Sequence, residues 1–262
     1  MSIMSVMTLN IGNPSIERVK RQISWIENRS EDVFVLTETK DSDGCNYLDE
    51  YFTNTGMTLF DLGRTPRFFS YFPKSTTGDL GVMILSKYRI IDSSTCFDAD
   101  SIYYSRLLDV KIDFEGRNFG IMGLYVPSRD ASQEKIARKK NFAIQYLRYL
   151  KEKVSSLDMP YIICGDLNIL ERNHKPKYPF FQNWEYDFYE RFDHFGFADA
   201  FRLMHPCENE YSWVGRTNDG YRYDHCFISN CLSKSVLECS YVHETRKIPI
   251  TDHSAMCLKV EY

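Results

Sequence analysis

Asp166 and Asn168 close the run Tyr161-Ile162-Ile163-Cys164-Gly165-Asp166-Leu167-Asn168. Four apolar residues after Pro160 read as a strand buried on both faces, which Gly165 ends. On extended chain, a spacing of two points both side chains the same way. A carboxylate and a carboxamide aimed at one spot can hold a water and a phosphate oxygen side by side. Taken alone, Gly, Asp and Asn have a plainer reading as turn residues. The pattern recurs, however. Asn10 closes the apolar run from Met4, Glu38 follows Val33-Phe34-Val35-Leu36-Thr37, and Tyr125 follows Gly123-Leu124. Asp224 stands at the start of an apolar run to Ile228, and Asp252-His253 precede another from Ala255 to Val260. Each has a local explanation as a turn, a core phenol or a cap. Six separate segments with such residues beside a strand favour one shared site, whose acids, amides, phenol and imidazole suit proton transfer and anion stabilisation. His225, next to Asp224, points to the opposite side of its strand and is left out of the site.

The elements that must position these groups alternate along the chain. A first strand over Met4–Asn10 leads through Gly12-Asn13-Pro14 to a helix reaching about Asn28, with Asn13 as its cap and Ile16, Val19, Ile23 and Ile26 on one stripe. Val33–Leu36 is a buried strand, and Leu48–Phe52 a short helix. Thr58–Phe72 reads as aromatic strands and loops, and Val82–Ser86 as a strand. Ser101–Phe114 and Asn118–Val126 form a hairpin around Glu115-Gly116-Arg117. A long helix then carries Ile136, Ala143, Leu147, Leu150 and Val154 on one stripe, with Lys135, Arg138, Lys139, Lys140, Arg148 and Lys151 opposite. That basic run is read as a solvated face in preference to a nucleic-acid patch. Tyr178–Phe195 is aromatic and partly helical. Short strands follow at Tyr211–Trp213, Tyr221–Ser229, Ser235–Val242 and Ala255–Val260. Many strands and hairpins with few helices indicate an α+β layered protein, one domain over residues 1–262.

Bulk composition agrees. The chain has 262 residues, 43% hydrophobic and 26% charged, which supports a sizeable core and excludes disorder as the organising principle. A net charge of −4 supplies no global basic field and argues against a protein that passively coats nucleic acid. No run of 18 apolar residues exists, so no membrane span is expected. The start of the chain lacks the basic and long apolar segments of a secretory leader. The eight cysteines contain no C-x-x-C pair and read as small buried thiols of a reduced, cytoplasmic protein. A zinc pair at His205 and Cys207 is the weaker reading of those two residues.

In their order and local context, Leu9-Asn10, Glu38-Thr39-Lys40, Gly123-Leu124-Tyr125, Gly165-Asp166-Leu167-Asn168, Tyr223-Asp224 and Thr251-Asp252-His253 resemble the endonuclease/exonuclease/phosphatase superfamily. The resemblance implies a four-layered α/β sandwich, two facing mixed sheets flanked by helices, and metal-dependent phosphoester hydrolysis, usually with Mg²⁺ and with Mn²⁺ as substitute. Hard oxygen donors such as Glu38 and Asn10 suit Mg²⁺. On this reading Glu38, Asn10 and Asp252 are the metal residues, and Asp166, Asn168, His253, Asp224 and Tyr125 are catalytic. Asp166 orients and deprotonates water, Asn168 and Tyr125 donate to phosphate oxygens, and Asp224 orients His253. His253 is the alternative base. Glu38-Thr39-Lys40, Gly220-Tyr221-Arg222-Tyr223-Asp224 and Gly196–Arg202 are similar to the exonuclease III-like, abasic-site endonuclease branch. That makes DNA the expected substrate of a monomer, with Lys40, Trp213, Tyr221 and Arg222 as contacts. The chain departs from the branch at Thr37, at Tyr125–Arg129 and over Ile169–Phe181, where substrate contacts would lie. A phosphatase or phosphodiesterase of small or lipid phosphoesters is the alternative with the same catalytic set. A non-catalytic binding module is a third reading, disfavoured because every expected polar position is filled.

Overall fold

The computed structural model describes residues 2–53, 67–156 and 158–262. Strand β1 (Ile3–Asn10) leads to helix α1 (Ile16–Glu27), then β2 (Val33–Thr39) and α2 (Asp43–Thr53). Strands β3 (Phe69–Tyr71), β4 (Gly81–Ser86), β5 (Ile90–Thr95), β6 (Leu107–Phe114) and β7 (Arg117–Leu124) precede helix α3 (Gln133–Val154). Next come β8 (Tyr161–Asp166), α4 (Asn183–His194), β9 (Phe197–Asp199) and α5 (Ala200–Met204). The chain ends with β10 (Trp213–Val214), β11 (Gly220–Tyr221), β12 (Asp224–Ser229), β13 (Val236–Val242), α6 (Glu244–Lys247) and β14 (Ala255–Glu261).

Two six-stranded sheets result, ordered β13-β14-β1-β2-β4-β3 and β5-β6-β7-β8-β12-β9. Both are mixed: β1 runs parallel to β2 and β7 parallel to β8, while the other pairs are antiparallel. Alternation along each strand sends side chains to opposite faces. Met4, Val6, Val33 and Val35 of the first sheet therefore meet Val110, Ile121, Ile162 and Cys226 of the second in a core between the sheets. Met7, Leu9, Phe34 and Leu36 point outward and are covered by Val19, Ile23 and Ile26 of α1 and by Leu48 and Phe52 of α2. Met122, Ile163 and Phe227 on the other outer face pack against Phe142, Tyr146, Phe188 and Phe192 of α3 and α4. The order is helix, sheet, sheet, helix, the four-layered α/β sandwich expected.

Several boundaries differ from the sequence reading. Helix α1 is capped by Ser15, whose hydroxyl accepts from Arg18 N, while the Asn13 carboxamide oxygen accepts instead from the Ser42 hydroxyl at 2.7 Å. Helix α2 begins at Asp43, five residues before Leu48. Residues 101–106 form a turn and a short 3-10 helix (Tyr104–Arg106) and not strand, so β6 starts at Leu107, and β5, largely exposed with Asp and Ser at its centre, gives no apolar alternation to detect. Within the expected strands and loops of Thr58–Phe72, residues 58–66 lie outside the described residues, and β3 is short. No helix among the described residues is long and apolar enough to cross a membrane.

Candidate active site

The same alternation that builds the inter-sheet core also aims the polar ends. Ile162 and Cys164 face that core, and Asp166 continues their parity. Cys226 and Ile228 face it too, and Asp224, paired in register with Asp166 across β8 and β12, continues theirs. Asn10 continues Met4 and Val6. His225 has the opposite parity and, as expected, lies apart, with Nε2 3.0 Å from the Ile169 carbonyl. Glu38 breaks the rule, since Val33 and Val35 take the inward places and an even residue should face out. The ladder between β2 and β4 shifts register between Thr37 and Thr39, and Glu38 sits at φ +56°. This bulge re-aims its side chain, so that Oε1 accepts from the Tyr125 hydroxyl at 3.1 Å. At Gly165, φ is +149° and any Cβ would lie 1.9 Å from the Leu124 carbonyl, so only glycine lets β8 approach β7 here.

The groups converge. His253 Nδ1 lies 2.7 Å from Asp224 Oδ2, and both residues are buried. Asn10 Nδ2 donates to Asp166 Oδ2 at 2.9 Å and lies 3.5 Å from His253 Nε2. Its Oδ1 accepts from Gly12 N at 2.9 Å, which fixes the amide orientation. Thr251 Oγ1 donates to the Asn10 carbonyl at 2.6 Å and Thr245 Oγ1 to the His253 carbonyl at 2.7 Å, tying the loop before β14 to β1. Asn168, at φ +48°, donates its backbone N–H to Asp166 Oδ1 at 3.0 Å and its carboxamide N–H to the Val126 carbonyl at 3.1 Å.

One residue that holds this loop went unrecognised in the sequence. The sequence pattern groups Lys139 with the solvated basic face of α3, yet it is 1% exposed and donates to the Asn168 carbonyl at 2.6 Å and to Glu185 Oε1 at 2.8 Å. Arg129 grips the other side of the fully buried Glu185. Lys135, Lys140, Arg148 and Lys151 are exposed as expected. The missed signal was spacing: Ile136, Lys139 and Ala143 fall three and four apart, on the apolar stripe itself.

Other expected residues are distributed differently. Arg222 cannot contact a substrate directly: it is fully buried, with Nη2 donating to Asp199 Oδ2 at 2.7 Å and lying 3.4 Å from Glu171. Burial works against the guanidinium charge, and the neighbouring Asp199 and Glu171 carboxylates keep it protonated. Asp252 is exposed, accepts from Trp213 Nε1 at 3.0 Å, and stands beside the buried group of Asp166, Asp224 and His253, at its rim. Trp213, Tyr221 and Tyr223 stack beside it, with ring centroids 6.3 and 5.4 Å apart in sequence, and Trp213 bridges to His253. Lys40 is half-buried just beyond Glu38. At the set-aside zinc pair, Cys207 is exposed and His205 bonds the Cys239 carbonyl and Glu208. All eight cysteines are free, five of them buried.

Burial, followed by the neighbouring Asp224 carboxylate, pushes Asp166 up to about 8. Burial works against a charged His253, but Asp224 outweighs it and raises the ring to about 10. Burial, then Glu38 and Asp166, holds Tyr125 as a neutral phenol well above its usual range. Three carboxylates thus share one enclosed site with a single imidazole. Asp224 Oδ1 is buried without a hydrogen-bond partner. Asp166, Asp224 and His253 each present a donor atom within 4.8 Å of the others. Surplus negative charge and hard oxygen donors fit a divalent cation.

The fold and site define a layered α/β protein in which two mixed six-stranded sheets bring an acid–amide–imidazole cluster together at their strand ends, a set suited to proton transfer and anion stabilisation. The profile of the "Endonuclease/Exonuclease/phosphatase family" matches residues 7–253, and the chain belongs to that family, whose enzymes hydrolyse phosphoester bonds. An exodeoxyribonuclease of Bacillus subtilis (strain 168) is 30% identical over 145 residues, a match that spans 49% of this chain and 56% of that protein. Among solved structures, an AP endonuclease from Archaeoglobus fulgidus is similar, with a TM-score of 0.77 at 21% identity over 99% of this chain and 100% of the other. A 3′-5′ exonuclease from Neisseria meningitidis is similar with a TM-score of 0.80 at 17% identity, again over 99% and 100% of the two chains.

Proposed function

We propose that the protein is a Mg²⁺-dependent phosphodiesterase acting on DNA, in the manner of an exonuclease or abasic-site endonuclease. The observation that carries this reading is the convergence of Asn10, Asp166, Asp224 and His253 within hydrogen-bond reach at the ends of both sheets. The partial match to an exodeoxyribonuclease supports DNA as the substrate. The free cysteines agree with work in a reducing compartment, which we take to be the cytoplasm.

Asp224 takes up His253 Nδ1, which leaves Nε2 facing Asn10 and Asp166. From there the ring donates a charge-assisted hydrogen bond to a non-bridging phosphate oxygen. Asp166, oriented by Asn10 and by the Asn168 N–H, positions the attacking water and accepts its proton. The second carboxamide N–H of Asn168 is the further donor to developing negative charge, and the Tyr125 hydroxyl, which donates to Glu38 Oε1, holds that carboxylate in place. Glu38 and Asn10 would hold the cation, which would supply charge neutralisation at the phosphate and leaving oxygen. Trp213 and Tyr221 form the apolar wall against which a base or base-free sugar packs.

A substrate panel tests this: abasic, nicked and intact duplex DNA, RNA and inositol phosphates, each with Mg²⁺. DNA cleavage that falls on the order of 10²-fold in His253→Ala is expected. Release of phosphate from inositol phosphates with no DNA cleavage would replace this reading with the small-phosphoester one.

A further inference from the structure

Next to Tyr125 the protein surface opens into a cavity of about 520 Å³. Arg106, Arg138 and Lys135 line it, and Asp79 and Asp130 are its acids. Arg106 is 4% exposed, and a buried guanidinium with five N–H donors demands acceptors. It has few. Nη1 reaches the Tyr125 carbonyl at 3.5 Å, Nη2 stands 3.7 Å from Asp79 Oδ1, and Nε has no hydrogen-bond partner. Arg138 donates to the same Asp79 oxygen, and its own Nε is buried without a partner. One carboxylate oxygen therefore serves two guanidinium groups. Arg129, at the same mouth, is committed to Glu185, and Lys135 pairs with Asp130 at the exposed rim. The wall holds more positive charge and more N–H donors than its acids satisfy, and Arg106 is its buried member.

Tyr125 joins this cavity to the candidate active site. Its hydroxyl donates to Glu38, while its ring lies 4.7 Å beneath the Arg106 guanidinium. A chain of phosphates with one member at His253 and Asn10 has its neighbours on either side, and the cavity shares Tyr125 with the candidate active site. We propose that Arg106 and Arg138 form a second phosphate subsite, which takes a non-scissile phosphodiester of a polynucleotide and so selects long substrates over single phosphoesters. The inference rests on the phosphodiesterase reading. Guanidinium groups match phosphate geometry with paired N–H donors, which an ammonium does not.

Two measurements test it, both on Arg138→Gln, whose side chain is partly exposed so that the variant folds; Lys135→Gln serves as the rim comparison. The first is binding of a fluorescein-labelled duplex oligonucleotide in EDTA across a salt series. Loss of one phosphate contact lowers the slope of log affinity against log salt by about 1, and weakens binding about tenfold at low salt. The second is the ratio of kcat/KM for the oligonucleotide to kcat/KM for thymidine 5′-(p-nitrophenyl phosphate), a diester with no second phosphate. The ratio is expected to fall about tenfold in Arg138→Gln. An unchanged slope and an unchanged ratio would overturn the subsite. If the wild-type protein hydrolyses neither diester, the phosphodiesterase reading falls by itself, and the salt slope of binding still decides whether these arginines hold a phosphate.

Discussion

Lys139→Met separates what a buried charge does for stability from what it does for the site. The ammonium is held in a place that does not favour it: burial pushes it down from 10.5 to about 8, despite contact with Glu185. That depression corresponds to roughly 3 kcal/mol against the charged form relative to water. Methionine removes this penalty and nearly fills the volume. It also strands the Asn168 carbonyl, at a cost of about 1–3 kcal/mol, and takes one of two cations from Glu185, which keeps Arg129 and the Gln182 N–H. The opposing effects leave a net destabilisation of roughly 0–2 kcal/mol. Activity should respond far more. Asn168 occupies a left-handed conformation that the Lys139 bond helps to hold, and its N–H orients Asp166. Displacement of such a group by about 1 Å costs up to about 10²-fold in turnover. The assay pairs urea unfolding with steady-state kinetics on a DNA substrate. The expected result is a small shift in unfolding midpoint, kcat down by about 10- to 100-fold, and KM changed much less. A kcat equal to wild type in a folded Lys139→Met protein would refute the positioning role.

Two other perturbations have defined outcomes. Chelation with EDTA is expected to abolish hydrolysis and Mg²⁺ or Mn²⁺ to restore it. Saturating Mg²⁺ should also raise the thermal midpoint, since a ligand at about 100 times its Kd adds about 2.7 kcal/mol to the folded state; a midpoint indifferent to the ion would remove the cation from the site. His174 supplies a pH effect on stability. Burial lowers it to about 4, and its neutral ring bonds the Pro176 carbonyl through Nδ1 and accepts from Arg222 N at 3.1 Å. Between that value and 6.5 the unfolded chain binds the extra proton, so this contribution is complete above pH 6.5 and is lost as pH falls toward 4. With partial solvent screening, the loss is about 2 kcal/mol. Urea titrations should show a shallower decline between pH 6.5 and 5 for His174→Gln than for wild type, and parallel declines would contradict the assignment.

The strands and most of the site were readable because burial imposes a period of two on strands. Asp166 and Asp224 each extend an apolar alternation by one more inward step and Asn10 by two, past Thr8, so a polar residue at that parity had to lie at the mouth of the core. The same rule excluded His225. Glu38 was recognised by type and context, but only the bulge at φ +56° explains how an outward-parity residue turns in. Where tertiary partners decide, the sequence was silent or misleading. Lys139 and Arg222 look like surface cations until Glu185 and Asp199, distant in the chain, are folded against them. Asp252 lies next to His253 in sequence, yet its exposed carboxylate turns to Trp213. Periodicity is a property of one segment and can be read along it. The fate of a charge depends on which opposite charge another segment brings, and that is settled only when the layers close.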